Sequence, residues 1–210
     1  MESGLARHSK KFVGWGVHYI DFDNNGNLDL LIVNGHINEA IEATRLDVKY
    51  KQPPLLLRNK GMGSYEDVRE AAGEAFRKRY SGRGLAIGDW NNDGRIAAVF
   101  TCLNGPPVLL RNDFKQGNAW IGFDLQGTKS NRDAIGSRIT VEAGGMRLVR
   151  WVTGGSSYLS SHDKRVLVGL GPLPDSANVQ VEIRWPSGTL RRLNGLTPGR
   201  YHKVIETAKP

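Results

Sequence analysis

Three aspartates are concentrated in one nine-residue stretch, DFDNNGNLD. Its odd-numbered positions hold Asp21, Asp23, Asn25, Asn27 and Asp29. Like charges at this spacing repel one another unless a cation lies between them. Ca²⁺ takes about six to eight oxygen ligands, and alternate residues of a tightly curled loop can direct their oxygens to one centre. Gly26 permits the sharp bend that such a loop needs. The stretch therefore predicts a Ca²⁺ site, to which Asn27 contributes its backbone carbonyl.

The same loop could also be an EF-hand, a Mg²⁺ site or a turn without metal. An EF-hand needs a bidentate Glu at position 12 of the loop and helices on both sides. Position 12 is Ile32, and the flanking segments have the pattern of strands. Mg²⁺ demands a stricter octahedron than the loop offers. A turn without metal stays open as an alternative, because Asp, Asn and Gly favour turns by themselves.

A second acidic stretch, DWNNDGRIA, has fewer ligands. Asp89, Asn91 and Asp93 stand at positions 1, 3 and 5, and Arg95 offers a backbone carbonyl at position 7. Position 9 is Ala97, so the closing carboxylate is missing. Two interpretations stay open for this stretch: weaker Ca²⁺ binding, or a loop closed by its own hydrogen bonds.

Both acidic stretches lie in a weak internal repeat that also indicates the elements around them. GVHYIDFDNNGNLDLLIVNGH (16–36) aligns with GLAIGDWNNDGRIAAVFTCLNG (84–105), and the first aspartates lie 68 positions apart (89 minus 21). PPLLLRNKG follows the first copy and PPVLLRND follows the second. Short apolar runs on both sides of a Gly-containing loop predict a β-hairpin. The further runs would give four strands per unit, which is typical of a propeller blade.

The pattern changes near residue 115. Strand-like segments separated by glycine turns follow, including SRITVEAGG, RVLVGLG and VQVEIRWPSG, and none contains an acidic nonamer. Short alternating segments at this spacing predict an all-β sandwich or barrel. We therefore expect an all-β chain with two domains: incomplete propeller blades over residues 1–114 and a small β-domain over residues 115–210.

Composition limits the function classes. The 210 residues are 39% hydrophobic and 24% charged, which is typical of a globular protein. A net charge of +8 favours anionic partners such as acidic glycans, but no nucleic-acid-binding motif is present, so nucleic acid is a disfavoured partner. No apolar run is long enough to span a membrane, and no signal segment is visible. Cys102 is the single cysteine, so an intrachain disulfide is excluded.

The repeats resemble FG-GAP (VCBS-type) repeats, the blades of integrin-alpha-like propellers. GTKSNRDAIGSRITVEAGG, GGSSYLSSHDKRVLVGLG and VEIRWPSGTLRRLNGL resemble the ASPIC and UnbV domain in order. Together they are similar to the C-terminal part of a cartilage acidic protein family member of the bacterial branch. The resemblance implies Ca²⁺ at the blade hairpins, an extracellular or periplasmic location and an adhesion or interaction role without catalysis. The resemblance implies about seven blades per propeller, and this chain holds fewer than two. We therefore expect it to be part of a longer protein, and the alternative that its propeller part is a remnant stays open.

We therefore expect a calcium-binding, non-catalytic module with a protein or carbohydrate partner. The open alternatives are an accessory domain of a carbohydrate-active or metal-dependent hydrolytic protein, and a basic module that binds glycan or nucleic acid by charge. Asn131, Arg132 and Asp133 form the most polar patch of the second half and are a candidate ligand-binding group. The adjacent Ser161, His162 and Asp163 cannot form a catalytic relay by themselves, because neighbouring residues of an extended chain point to opposite faces.

Overall fold

A computed structural model describes residues 3–45, 47–115, 117–174 and 177–207. Strands account for 44% and helices for 6%, so the predicted all-β class is confirmed. The helices within these residues are short: α1 (Leu5–Ser9), α2 (Ile41–Thr44) and α3 (Glu74–Arg77). A membrane-spanning helix is not found in the described ranges.

The first sheet is an antiparallel meander in the order β1-β2-β3-β4. Its strands are β1 (Gly14–Ile20), β2 (Asp29–Asn34), β3 (Leu55–Asn59) and β4 (Tyr65–Asp67). Successive residues of a strand point to opposite faces of the sheet. In β2, Leu31 and Val33 on one face and Leu30 on the other are all buried, so both faces of this sheet are covered.

The second sheet has the order β5-β6-β7. It contains β5 (Gly82–Gly88), β6 (Ala97–Cys102) and β7 (Gly105–Leu110). In β6, Ala98 and Phe100 are buried on one face, whereas Val99 and Thr101 on the other are exposed. One face of this sheet is therefore covered and the other is largely open.

The second half of the chain forms two more sheets, in the orders β11-β8-β14 and β10-β9-β12-β13. Their strands are β8 (Ala119–Gln126), β9 (Arg138–Ala143), β10 (Met146–Trp151), β11 (Val166–Gly171), β12 (Val179–Arg184), β13 (Leu190–Leu196) and β14 (Tyr201–Ile205). β14 pairs with β8 in parallel, and the other pairings are antiparallel.

Three apolar clusters hold these sheets. The largest joins the two sheets of the second half and includes Phe123, Ile139 and the fully buried Trp185. Another lies between the first and second sheets. The third lies on the opposite face of the first sheet, where residues Leu5 and Phe12 cover β2 and β3.

The expected propeller blades of the first half and the expected sandwich or barrel of the second half stay predictions. The described residues form several antiparallel sheets and close neither a barrel nor a propeller. The division at residues 114–115 falls between β7 and β8. It stays a prediction, because hairpin loops of the first half contact strands of the second half.

Candidate metal centre

The first acidic stretch is the tip of the β1–β2 hairpin. Ile20 pairs with Asp29 across the two strands, and the residues between them form the loop. Asn24 and Gly26 have positive φ values of 55° and 90°, which curl the backbone inward. Asp21 then accepts hydrogen bonds from the amides of Asn25 and Gly26, each over 2.9 Å. The short polar residues therefore close the tip around the first aspartate.

The three aspartates of this loop are brought together and buried. Asp21, Asp23 and Asp29 are 5%, 3% and 0% exposed, and one carboxylate oxygen from each lies within 4.8 Å of the other two. Asp29 also accepts hydrogen bonds from the amides of Asn59 over 2.8 Å and Phe22 over 3.3 Å. Three oxygen ligands at this separation fit around one hard cation.

Burial makes the ionised form of this cluster costly. Desolvation is the main cause that raises the pKa of Asp21 to about 6 and that of Asp29 to about 7, and the neighbouring carboxylates add to both shifts. Backbone amides oppose these shifts without cancelling them. A cation among the three oxygens would restore the charged form.

Two arginines already lie beside the cluster. Arg58 of β3 donates a hydrogen bond from Nη2 to Asp23 Oδ2 over 2.5 Å. Arg150 of β10 lies with Nη2 at 3.9 Å from Asp21 Oδ2, and its side chain is 11% exposed. The two guanidinium groups offset two of the three carboxylate charges, and Arg58 occupies an oxygen that a metal would use.

The two predicted asparagine ligands lie on the same loop, and the roles of the Asn25 side chain and the Asn27 backbone carbonyl as ligands stay predictions. Asn25 Oδ1 accepts a hydrogen bond from the Asn27 amide over 2.7 Å, and Asn27 is exposed. Among the predicted ligands, the aspartates thus form the cluster, and Asn25 shapes the turn.

The second acidic loop makes the same hydrogen bonds to its first aspartate as the first loop does, so weaker Ca²⁺ binding and a loop held by its own hydrogen bonds both stay predictions. Asp89 is 1% exposed and accepts from the amides of Asp93, over 3.1 Å, and Gly94, over 2.8 Å. The Asp93 carboxylate binds the Arg95 guanidinium and the Asn91 amide group. In the described parts of the chain, the three-acid cluster occurs at the first loop and not here.

The predicted polar patch at 131–133 lies in a turn next to a buried carboxylate, and its role in ligand binding stays a prediction. The Asn131 side chain accepts from the Ile135 amide and donates to the Ile135 carbonyl, each over 2.8 Å. Just before it, the amides of Thr128, Lys129 and Ser130 all donate to Glu206 Oε2. Arg132 and Asp133 are exposed beside this turn.

The sequence did not predict that Glu206 is a buried carboxylate that accepts several hydrogen bonds. It is 2% exposed, and burial alone would raise its pKa. Hydrogen bonds from Ser130, Ser187 and the neighbouring amides outweigh burial and lower the pKa to about 2. A single Glu at a strand end has no sequence pattern that would distinguish it from a solvent-exposed one.

Comparison with known families bears on this second half. Residues 127–210 match the family model of the ASPIC and UnbV domain. The matched segment contains β9 to β14 together with Glu206 and its amide donors. No curated protein matches the chain. Both acidic loops lie outside the ASPIC and UnbV segment, so the FG-GAP resemblance and the link to the cartilage acidic protein family stay predictions.

The ASPIC and UnbV segment contacts the first acidic loop closely. Arg150 donates a hydrogen bond to the Gly26 carbonyl over 2.9 Å, and the Gly171 amide donates to the Asn24 carbonyl over 2.9 Å. A Cβ added to Gly169 would lie 2.3 Å from Asp21 Oδ2 and 2.4 Å from Asn24 Cα. The candidate metal loop is therefore also an element of the contact between the two halves.

A histidine pair at the same contact was also missed. His18 of β1 and His162 of the ASPIC and UnbV segment have ring centroids 3.9 Å apart. His162 Nδ1 accepts from the Ile87 amide over 3.2 Å, and its Nε2 is buried without a hydrogen-bond partner. His162 does not bond Ser161, whose hydroxyl donates to the Gly154 carbonyl over 3.2 Å. Because 144 positions separate the two histidines (162 minus 18), sequence spacing offered no signal.

Proposed function

We propose that this chain is a calcium-binding, non-catalytic interaction module that acts in an extracellular or periplasmic setting. The observation that carries the proposal is the buried cluster of Asp21, Asp23 and Asp29 at one hairpin tip. Carboxylate oxygens on a curled loop are the ligands that Ca²⁺ prefers. The location and the adhesion role come from the family resemblance, and so does the expectation of further blades in a longer protein.

The chemistry of the cluster fits a divalent cation. With three carboxylates and two guanidinium groups nearby, one negative charge is not offset when all are ionised. The Oδ1 atom of Asn24, in the same loop, is buried and has no hydrogen-bond partner. For a metal to reach Asp23, Arg58 would release or share Oδ2, and the exposed third of its side chain gives it room to turn outward.

Bound calcium would stabilise the contact between the two halves of the chain. We call the arrangement in which the first acidic loop lies against β10 and β11 the docked state. Asn24, Gly26 and Asp21 all touch β10 or β11. A bound cation would hold these atoms in one arrangement and thereby stabilise the docked state by mass action. Blade-like sheets in the first half and a sandwich-like pair in the second would then form one rigid surface for a partner.

Titration calorimetry tests this proposal. Ca²⁺ added to the wild-type chain should release heat and raise the melting temperature, with Mg²⁺ weaker. Asp23→Asn should weaken binding by about tenfold or more, because it removes one charged ligand. Asp47→Asn is the matched control, since Asp47 is an exposed aspartate paired with Arg45 away from the loop. No heat and no change in melting temperature for the wild type would refute calcium binding.

One groove favours carbohydrate as the second kind of partner. It has a volume of about 240 Å³ and lies on the outer face of β9, β10, β12 and β13. Carboxylate, guanidinium and amide groups line it, and Thr140, only 4% exposed, has an unpartnered Oγ1 there. Such mixed donors and acceptors match sugar hydroxyls. Binding of neutral or uronic-acid oligosaccharides that Arg147→Ala and Thr140→Val both weaken would support this candidate.

A further inference from the structure

The outer face of the sheet β10-β9-β12-β13 carries a row of side chains that is open to solvent at both of its ends. Ile139 of β9 and Ile183 of β12 point into the core and are 0% exposed. Their neighbours along each strand therefore point outward. In the outermost strands, Trp151 of β10 is 56% exposed and Leu190 of β13 is 55% exposed. The described residues thus leave both ends of this row uncovered.

Two arginines lie directly opposite each other in the middle of the row. The strand register pairs Trp151 with Arg138, Arg138 with Arg184, and Arg184 with Leu190. Residues directly opposite on neighbouring strands have Cβ atoms about 4.5–5.5 Å apart, and like charges in such a pair are destabilising. An anion bound between the two guanidinium groups would replace this repulsion by attraction.

The carboxylates of the same face leave these two charges largely uncompensated. Glu182, in the adjacent row, pairs with Arg192 over 3.0 Å and reaches Arg138 only at 4.0 Å. Arg138 Nε is buried without a hydrogen-bond partner among the described residues. Within the described ranges, no carboxylate oxygen lies within 4.0 Å of the Arg184 guanidinium. The pair of Arg138 and Arg184 is therefore a site of unmatched positive charge.

An aromatic ring and a polar groove lie next to the arginine pair. Trp151 is on the strand beside Arg138, about 4.7–4.9 Å away. Thr140, two positions from Arg138 on the same face, lines the groove of about 240 Å³, and its buried Oγ1 has no partner in the described parts of the chain. An exposed indole suits the apolar face of a sugar ring, a mixed polar groove suits hydroxyl groups, and guanidinium groups suit carboxylates.

We propose that Trp151, Arg138 and Arg184 bind an acidic oligosaccharide. A uronate carboxylate lies between the two guanidinium groups, its ring stacks on Trp151, and the neighbouring sugar unit enters the groove at Thr140. This inference rests on the carbohydrate candidate of the proposed function and narrows it to uronic-acid chains. It does not depend on calcium, because Arg150, which contacts the first acidic loop, points to the opposite face of β10 from Trp151.

Calorimetric titration with tetragalacturonate tests this proposal, and the fully methyl-esterified form of the same chain is the matched neutral probe. Both titrations contain EDTA, so that Ca²⁺ bound by the uronates or by the first acidic loop has no influence. At low salt, the wild-type protein should bind the acid about tenfold or more tightly than the ester, because only the acid forms charged hydrogen bonds with guanidinium groups.

Arg184→Gln should remove most of the preference for the acid over the ester. It should also raise the melting temperature of the free protein slightly, because it removes the repulsion from Arg138. Arg79→Gln is the matched control, since Arg79 is an exposed arginine of the first half and its loss lowers the net charge equally. Equal effects of the two substitutions on binding would overturn the proposal, and so would a free protein that Arg184→Gln destabilises.

Trp151→Ala should weaken the binding of both the acid and the ester, because the sugar ring stacks on the indole whether or not its carboxyl group is charged. Trp90→Ala is the matched control, since Trp90 is 66% exposed on the second acidic loop, in the other half of the chain. Binding that both tryptophan substitutions leave unchanged would overturn the stacking role of Trp151.

Further outcomes separate this inference from the proposed function and from other occupants. Binding of neutral cellotetraose without a preference for the acid would overturn the inference and leave the carbohydrate candidate standing, whereas binding of no oligosaccharide would remove both. Polyglutamate that displaces tetragalacturonate at equal concentration would overturn the inference in favour of an acidic peptide. Dimerisation of the wild-type protein that Trp151→Ala abolishes would overturn it in favour of a second copy.

Discussion

Tyr201 donates a hydrogen bond from its hydroxyl to Asp89 Oδ2 over 3.0 Å. This bond joins β14 in the ASPIC and UnbV segment to the first residue of the second acidic loop. Burial, and then the charge of Asp89, raise the pKa of the Tyr201 hydroxyl, so the phenol stays a donor. The second loop thus uses its first carboxylate to bind the second half of the chain, whereas the first loop directs three carboxylates towards one another.

Tyr201→Phe should lower stability without affecting calcium binding at the first loop. The ring would keep its contacts with Trp120 and Arg165, so the loss is that of one hydrogen bond to a buried carboxylate. We expect the free energy of unfolding to fall by about 1.5–3 kcal/mol, measured by urea denaturation. An unchanged free energy of unfolding would mean that this bond does not hold the halves together.

Gly169→Ala should disrupt the docking of the first acidic loop. The added Cβ would meet Asp21 Oδ2 at 2.3 Å and backbone atoms of Asn24 at 2.4 Å and 2.5 Å. Overpacking of this kind costs about 1–3 kcal/mol, so the melting temperature should fall and calcium affinity should fall with it. Gly117→Ala is the control, because a Cβ there meets nothing within 4 Å. Equal effects of the two substitutions would contradict the close approach at Gly169.

Arg58→Gln should raise calcium affinity while lowering stability in the absence of calcium. The guanidinium now holds Asp23 Oδ2, which a metal would need. Its removal leaves a buried carboxylate without its charged partner, which is costly, and a divalent cation can replace that partner. Calorimetric affinity and melting temperature, with and without Ca²⁺, measure both effects. Arg45→Gln, which removes an exposed partner of Asp47, should change neither. Weaker calcium binding by Arg58→Gln would argue against competition.

The His18–His162 pair should make the docked state sensitive to acid. Burial, and then the neighbouring His162, lower the pKa of His18 from 6.5 to about 4. Burial, and then Lys164, also lower the pKa of His162. The folded state therefore binds fewer protons than the unfolded state below pH 6.5. The stabilisation from the neutral pair is present above that pH and is lost as the pH falls towards 4.

His18→Phe isolates this contribution. It keeps a flat ring against His162 but removes the titrating nitrogen and the contact with Ser156. The difference in melting temperature between the wild type and His18→Phe should shrink or reverse as the pH is lowered from 7 to 4.5. Asp21 and Asp29 have raised pKa values and therefore stabilise the folded state as the pH falls, which is opposite to the effect of the histidines. Their contribution is the same in both proteins and cancels in the difference of melting temperatures. A difference that is constant with pH would exclude the pair as the titrating element.

Features that depend on residues close in sequence could be predicted from the sequence. The spacing of Asp21, Asp23 and Asp29 predicted that their side chains converge at a hairpin tip, and the structure places them within 4.8 Å. Apolar runs on both sides of DFDNNGNLD became β1 and β2. These features depend on residues within a few positions of one another, where turn chemistry and strand alternation determine geometry.

Contacts between residues far apart in sequence could not be predicted in this way. Arg58 and Arg150 beside the cluster, Tyr201 on Asp89, and His162 on His18 all come from elements that are distant in sequence. Each of these side chains has an ordinary local pattern, and its position depends on how whole sheets pack. The contact between the two halves was therefore not foreseen, although glycines such as Gly169 mark the places where backbones approach closely.

The most direct measurement is a crystal structure of the chain grown with Ca²⁺, with anomalous scattering data collected at long wavelength. If the loop binds Ca²⁺, an anomalous peak should lie at about 2.3–2.6 Å from oxygens of Asp21, Asp23 and Asp29, with the Arg58 guanidinium moved from Asp23 Oδ2. A map without a peak there, in which Arg58 still binds Asp23, would contradict calcium binding by the loop.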